Sequence, residues 1–488
     1  MKLLNLIITE LKVAKYYSIS VDSTVDRSHT DQLTFVVRYV INGKAVERFL
    51  QFIQITKHDG EYLFNVVVGF LNHYGIAIAD CRGQGYDNAP NMSGCYSGLQ
   101  ARFKVLCPEA VFVGCSCHSL NLVGVHSCSC HVELISFFNH VQGLYVFLSA
   151  SPYRWNVLNC QNITLVLKAL CGTRWSERAD AVHALKEGYP KVIETLTLLK
   201  DDDRLDKDAQ HQASCLLRKM NEIETTFLTI FWNEVLARMN KTSTVLQKES
   251  AHLAVTVELL TSLEVFVKSL RTKFDHYEAE AKKLVSTETY KTMNKRAKRI
   301  STRIEHPSNS SENTVLQGKE KFKVEVFFVA IDKLSAELSR RSEQYKILLE
   351  RFSFIIDILD LDDNGIEKSA EKLCEYYPKD LDSANIASEF VHFKSYLSIK
   401  AEFKGKVCIG EIYKFMYDQN LFKVFTNVEI SLRILLSIMP TSASGERSFL
   451  RLKLIKDEHR TTMSQKRLNE YSLLCIENEL LETIDYKY

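Results

Sequence analysis

Two aspartates stand where a chain aimed at phosphodiester chemistry would carry them. Asp22 lies in Ser-Val-Asp-Ser-Thr at 20–24, where apolar strand residues fix the backbone and the carboxylate emerges near the strand end. A strand is a more rigid platform for a metal ligand than a loop. Asp87 lies in Cys-Arg-Gly-Gln-Gly-Tyr-Asp-Asn at 81–88, whose glycines permit a tight turn after a strand and leave room for a phosphate backbone. Carboxylates are the hard donors that magnesium or manganese prefers. In-line attack on a phosphodiester uses one ion to prepare the attacking oxygen and another, about 4 Å away, to stabilise the leaving one. On spacing alone, ordinary strand-end and turn aspartates are the more frequent case.

Cys-Ser-Cys-His occurs twice, at 115–118 and 128–131. The repeat invites a zinc reading, but Cys-x-Cys departs from the usual ligand spacing of structural zinc sites, so reduced thiols in a core are preferred and zinc is not expected. A basic run, Lys295-Arg296-Ala-Lys-Arg299 with Arg303, sits on a predicted helix and suits phosphates, a nuclear address or a solvated face.

The elements that must position these residues are visible in the spacing. Residues 17–22 and 33–40 are rich in β-branched and aromatic types and read as strands. Asn42-Gly43 is a strong hairpin signal, so a third strand runs antiparallel to the second. Leu63, Val66, Val67, Phe70 and Leu71 mark one face of a helix that Gly75 ends. A short strand at 76–79, a helix from Asn91 and a strand at 110–114 follow. The order is βββαβαβ, with an Asp on the first strand and another just past the fourth. From 189 to 317 there is no glycine, and Pro190 and Pro307 are the only prolines. Leu216, Met220, Ile223, Phe227, Ile230, Val235 and Met239 form a stripe there, so the stretch reads as packed helices with a polar loop at 306–313. The last section, 421–480, is helical around a break at Pro440.

With 62 basic and 60 acidic residues, no bulk positive field draws nucleic acid, so any DNA partner must be held by local patches. Apolar residues at 46% and charged residues at 25% indicate a globular, non-membrane chain. The apolar opening stops at Glu10 and Lys12, too soon for a signal peptide, and thirteen cysteines favour reduced thiols, so an intracellular protein of the cytosol or nucleus is expected, the nucleus being the choice that suits a DNA partner.

Four passages occur in order: Tyr-Ser-Ile-Ser-Val-Asp-Ser-Thr, Asp-Gln-Leu-Thr-Phe-Val-Val-Arg-Tyr-Val, Cys-Arg-Gly-Gln-Gly-Tyr-Asp-Asn and Cys-His-Ser-Leu-Asn-Leu. Together they resemble the transposase-like domain of zinc-finger MYM-type proteins. Ser442-Ala-Ser-Gly-Glu-Arg-Ser-Phe, then Lys-Leu-Ile-Lys and Arg460-Thr-Thr-Met-Ser-Gln-Lys-Arg-Leu, resemble the hAT-superfamily C-terminal dimerisation motif. The likeness covers nearly the whole chain.

The resemblance implies an α/β RNase H-like core interrupted by a large all-α insertion, with a C-terminal helical dimerisation region completing it. The expected division is 1–180 for the first part of the core, 181–410 for the insertion and 411–488 for the C-terminal region. It makes Glu446 the third acidic metal ligand beside Asp22 and Asp87. It links Cys115 and His118 to the active centre as nucleic-acid contacts. It also sets Arg174-Trp175 at the mouth of the insertion, where the Trp stacks on a base turned out of the duplex. Phe449, Leu452, Leu454, Ile455, Leu468, Leu473, Leu474 and Ile476 offer apolar surface for a homodimer or higher oligomer. No Cys/His finger precedes Asp22, so recognition of particular DNA ends is not expected from this chain. Two activities follow: a magnesium- or manganese-dependent DNA transposase of the DDE type, or a domesticated, inactive, dimerising nuclear regulator.

Overall fold

A computed structural model describes residues 2–162, 164–170, 175–249, 251–285, 287, 289–291, 316–400, 403 and 408–482. After helix α1 (Lys2–Ala14), three strands follow directly: β1 (Tyr17–Val25), β2 (Asp31–Ile41) and β3 (Lys44–Ile55). Asn42 and Gly43 turn the β2–β3 hairpin with φ of 50° and 77°, the left-handed pair that its tight turn needs. Helix α2 (Gly60–His73) starts at Asp59, whose carboxylate accepts the Tyr62 N–H. It ends at Gly75 (φ 60°), where the Gly75 and Ile76 amides cap the Asn72 and Leu71 carbonyls.

The fourth strand departs from expectation. Ile78–Asp80 is a 3-10 turn, and β4 is Cys81–Tyr86, inside the glycine-rich stretch. Glycine disfavours strands, but a methyl on Gly83 would collide with Ser18 Oγ, and one on Gly85 would lie 3.2 Å from the Met439 carbonyl oxygen. The protein's own chain, at Ile438 and Met439, occupies the room that the glycines were expected to leave for phosphate. A short helix at Pro90–Ser93, α3 (Leu99–Leu106), β5 (Val111–Gly114) and α4 (Ser116–Cys128) follow.

The sheet order is β3-β2-β1-β4-β5, with β1, β2 and β3 antiparallel and β1, β4 and β5 parallel. A mixed α/β sheet thus occupies the N-terminal region. Three later helices return to it: α5 (Thr426–Ser437), α6 (Ala443–Ile455) and α7 (Gln465–Ile476). Helix α7 and its C-cap residue cover the edge strand. Glu477 accepts the Phe49 N–H (2.6 Å), Asn469 accepts the Phe52 N–H (3.0 Å), and Gln465 donates to the Phe52 carbonyl (2.9 Å). Those groups would otherwise offer a template for pairing with another chain.

The C-terminal apolar positions were expected to supply a subunit interface, and most do not. Leu452, Ile455, Leu468 and Leu473 are buried in the chain's own core, with Phe449 and Ile476 packed against it. Of the expected set only Leu454 and Leu474 are exposed. Sequence periodicity cannot tell a face that packs on the same chain from one that packs on another.

By internal contacts the chain forms two compact units: Met1–Ser119, Ser243–Leu260 and Arg341–Tyr488 make one, Leu120–Thr242 and Thr261–Arg340 the other. This partition differs from the 1–180, 181–410 and 411–488 division. Residues after 120 join the helical unit because Phe138 packs edge-on against Trp232 and under Arg178. Residues after 341 join the sheet unit, where Asp380 takes two hydrogen bonds of 2.7 Å from buried Arg82. Among the described residues the second unit contains only helices, with Phe227, Phe231, Phe274, Tyr277 and Phe327 in mutual, mostly edge-on contact. Its expected apolar stripe is divided between helices Lys207–Met220 and Ile223–Leu246, with Met220, Ile223, Phe227, Val235 and Met239 buried. The loop at 306–313 lies outside the described residues. No described helix is long and apolar enough to cross a membrane.

Candidate active site

Strand register brings the two aspartates together. Ser20 and Gly85 are the last pair of the parallel ladder between β1 and β4; two residues on come Asp22, still inside β1, and Asp87, just past the end of β4. Tyr86 pairs with Gly114, so the next step sets Asp87 opposite Cys115 at the end of β5. Neighbouring strands run about 4.8 Å apart. Side chains alternate between faces, so Asp22 shares its face with Ser18 and Ser20, and Asp87 shares its face with Gly83 and Gly85. These small residues make a flat floor for the segment entering Pro440, and the acids continue the same rows beyond it.

Thiol and backbone bonds hold that segment. The Ser116 N–H donates to the Pro440 carbonyl (2.9 Å), and Cys115 Sγ accepts the Ser442 N–H (3.3 Å) and the His118 N–H (3.5 Å). Thr441 Oγ1 reaches Cys117 Sγ at 3.4 Å and Cys115 Sγ at 3.7 Å. Hydrogen bonding from the Cys117 thiol, then from Ser442 and His118, drives the Cys115 thiol pKa down against the effect of burial, while that of Cys117 is driven up. Cys115 is therefore an internal anchor, and its expected part as a nucleic-acid contact is replaced because its sulfur is buried. His118 is half-buried beside it.

A buried ion pair holds the other side of Pro440. Arg38 on β2 and Glu47 on β3 meet at 2.8 Å, both side chains almost wholly enclosed. Arg38 Nε donates to the Leu436 carbonyl (2.9 Å) at the end of α5, and Glu47 accepts the Ser444 hydroxyl in the first turn of α6. The pair thus clamps the chain on both sides of the proline. Sequence reading passed over it, although one arginine inside Leu-Thr-Phe-Val-Val-Arg-Tyr-Val was a visible signal.

Helix α6 then starts directly over the first aspartate. A Cβ built on Gly445 lies 3.8 Å from Asp22 Cβ and 3.1 Å from Thr34 Cγ2, so no larger residue fits without displacement. Glu446 is next in the chain, and its charge is felt at Asp22. The Asp22 pKa is pushed up to about 7, first by burial, then by the negative charge of Asp87 and, more weakly, of Glu446, against a hydrogen bond from the Ser23 N–H (2.8 Å). Asp87 Oδ1 accepts the Ala89 N–H at 3.1 Å.

Asp22, destabilised as an anion by the charges of Asp87 and Glu446, has with them the donor chemistry of a divalent-cation site. Among the described residues, however, no three His, Cys, Asp or Glu side chains are grouped closely enough to hold a metal ion as they stand. Arg174, Lys295 and Arg296 lie outside the described residues; Trp175 begins helix Trp175–Glu187, and its side chain too lies outside them.

The chain is similar to known proteins in two ways. Residues 1–98, which carry β1 to β4 and both aspartates, match the family model DUF4371, described as the ZMYM1/FAM200 RNase-like domain. Over 98% of its length the chain is similar to the 52 kDa repressor of the inhibitor of the protein kinase. It is 20% identical to the Mus musculus protein over 498 residues and 22% identical to the Homo sapiens protein over 503. It spans 64% and 63% of those proteins, less than two thirds of each.

Proposed function

We propose that this chain is a transposase-derived protein of the hAT type. Its core is RNase H-like, and its third acid returns from beyond a helical insertion. Asp22, Asp87 and Glu446 hold magnesium or manganese for the cutting and joining of DNA strands in the nucleus. One observation supports the reading: Asp22 in β1 and Asp87 just past β4 each follow, by two residues, the last pair of one parallel ladder, and Gly445, next to Glu446, lies against Asp22.

A bound divalent cation would neutralise charge on the attacking and departing oxygens of an in-line displacement. The chain's own part is positional. The Ser23 and Ala89 amides each fix one oxygen of an aspartate, and Gly445 lets the helix carrying Glu446 come close. Cys115 on one side and Arg38–Glu47 on the other hold the Pro440 segment. Partial burial of Asp22 strengthens every charge interaction there relative to water.

The second reading is a domesticated, non-cleaving nuclear regulator that dimerises and associates with DNA. It draws support from relatives named as repressors and from the open spacing of the acids. Nicking of duplex DNA bearing terminal inverted repeats, with manganese or magnesium, separates the two. The Asp22→Asn chain should be slower by about a hundredfold or more. Equal cleavage by both chains, or none by either, leaves the regulatory reading.

A further inference from the structure

Away from the acidic site, helix Ile409–Asp418 begins at Cys408, its N-cap, whose thiol is exposed. The positive end of a ten-residue helix favours negative charge developing there. Cys408 Sγ lies 3.8 Å from Nε2 of His252, which is 7% exposed. Burial first, and then the charge of Arg38, lower the His252 pKa and keep its imidazole neutral; Glu258 works the other way. A neutral ring that accepts the thiol proton at Nε2 carries its own on Nδ1. That Nδ1 is buried and has no hydrogen-bond partner. Both residues line a cavity of about 170 Å³ whose wall also includes Ala254, Val255, Ile356 and the acidic Glu258. A nucleophile, a base and a mostly apolar wall meet there within one compact unit.

We propose that Cys408 is a thiolation site for a low-molecular-weight disulfide, with His252 as its base. The thiol proton passes to His252 Nε2, and the sulfur attacks one sulfur of the disulfide. A mixed disulfide forms as the reagent's S–S bond breaks. The departing thiolate takes the proton back from His252, so Cys408 is oxidised and half of the reagent is reduced.

The test treats the full chain with oxidised glutathione, quenches with N-ethylmaleimide at timed intervals, and follows each cysteine by peptide mass spectrometry. Cys95 and Cys160, also exposed, are the internal references. Cys408 should be thiolated on the order of tenfold faster than either, and His252→Gln should remove that advantage without changing the references. Equal rates at the three cysteines in the native chain overturn the proposal, as does an unchanged Cys408 rate in the variant. Should His252→Gln not fold, the native chain alone decides: a Cys408 rate no greater than those of Cys95 and Cys160 overturns the assignment.

Discussion

At the residue scale, the least expected device is the pair of glycines in β4. Gly83 and Gly85 were read as room for a ligand, and both are filled by protein: Ser18 and Ile438 against one, Met439 against the other. Gly83→Ala should therefore destabilise the chain by roughly 2 kcal/mol, the usual cost of overpacking a closed site. Ser18→Ala in the same chain should recover part of that loss, because it removes the nearest clashing atom. Denaturant titration of the three variants measures the coupling, and additive losses would show that the floor beneath Pro440 does not set the strand. The acids are the contrasting case. Asp22 and Asp87 were identified by their places at strand ends, whereas Glu446 came from family likeness alone. Its approach to Asp22 depends on the Gly445 contact.

At the element scale, the β1–β2 turn and the end of α6 are joined by one buried pair. Lys456 donates to Asp26 at 2.7 Å, and the same carboxylate takes bonds from Ser28, Thr30 and Gln32. Burial raises the Asp26 pKa, but Lys456, Ser28 and Thr30 outweigh it and hold it at about 2, below the ordinary 3.8. A depressed acid stabilises the fold fully above its unfolded value, and that stability is lost as pH falls through its folded value. The native chain should lose about 2 kcal/mol between about pH 4 and pH 2 that an Asp26→Asn, Lys456→Met chain does not lose. Chemical denaturation at stepped pH reads this directly, and identical acid profiles would remove Asp26 from the account. The cover on β3 makes a second prediction. Asn469→Ala should speed hydrogen exchange at the Phe52 amide by about fivefold or more, from the loss of one hydrogen bond of about 1 kcal/mol. An unchanged rate would mean that burial alone protects that edge.

At the scale of the whole molecule, self-association has less surface to work with than the sequence suggested. Leu454 and Leu474 remain outward-facing, 66% and 44% exposed, and Leu450 and Tyr471 are exposed on the same two helices. If the C-terminal helices form a subunit interface, it uses these side chains. Leu454→Glu with Leu474→Glu should convert a dimer to a monomer in light scattering while leaving the melting temperature nearly unchanged. Deleting the C-terminal helices would not serve as the test, because Leu452, Leu468 and Glu477 belong to the fold itself. A dimer that survives both substitutions would move the interface elsewhere.

Local chemistry determined a good part of this protein. β-Branched runs and Asn42-Gly43 specify the β1–β3 meander, Asp59 and Gly75 delimit α2, and the apolar stripe from Leu216 to Met239 specifies helices, because each signal acts within a few residues of itself. The position of β4 was misread, since Gly83 is chosen by Ser18 on a neighbouring strand and Gly85 by Met439, more than 350 residues away. The same holds for the clamp around Pro440, the burial of the C-terminal leucines and the contact of Gly445 with Asp22. Long-range packing assigns each of these, and a one-dimensional pattern records which face is apolar but not what comes to cover it.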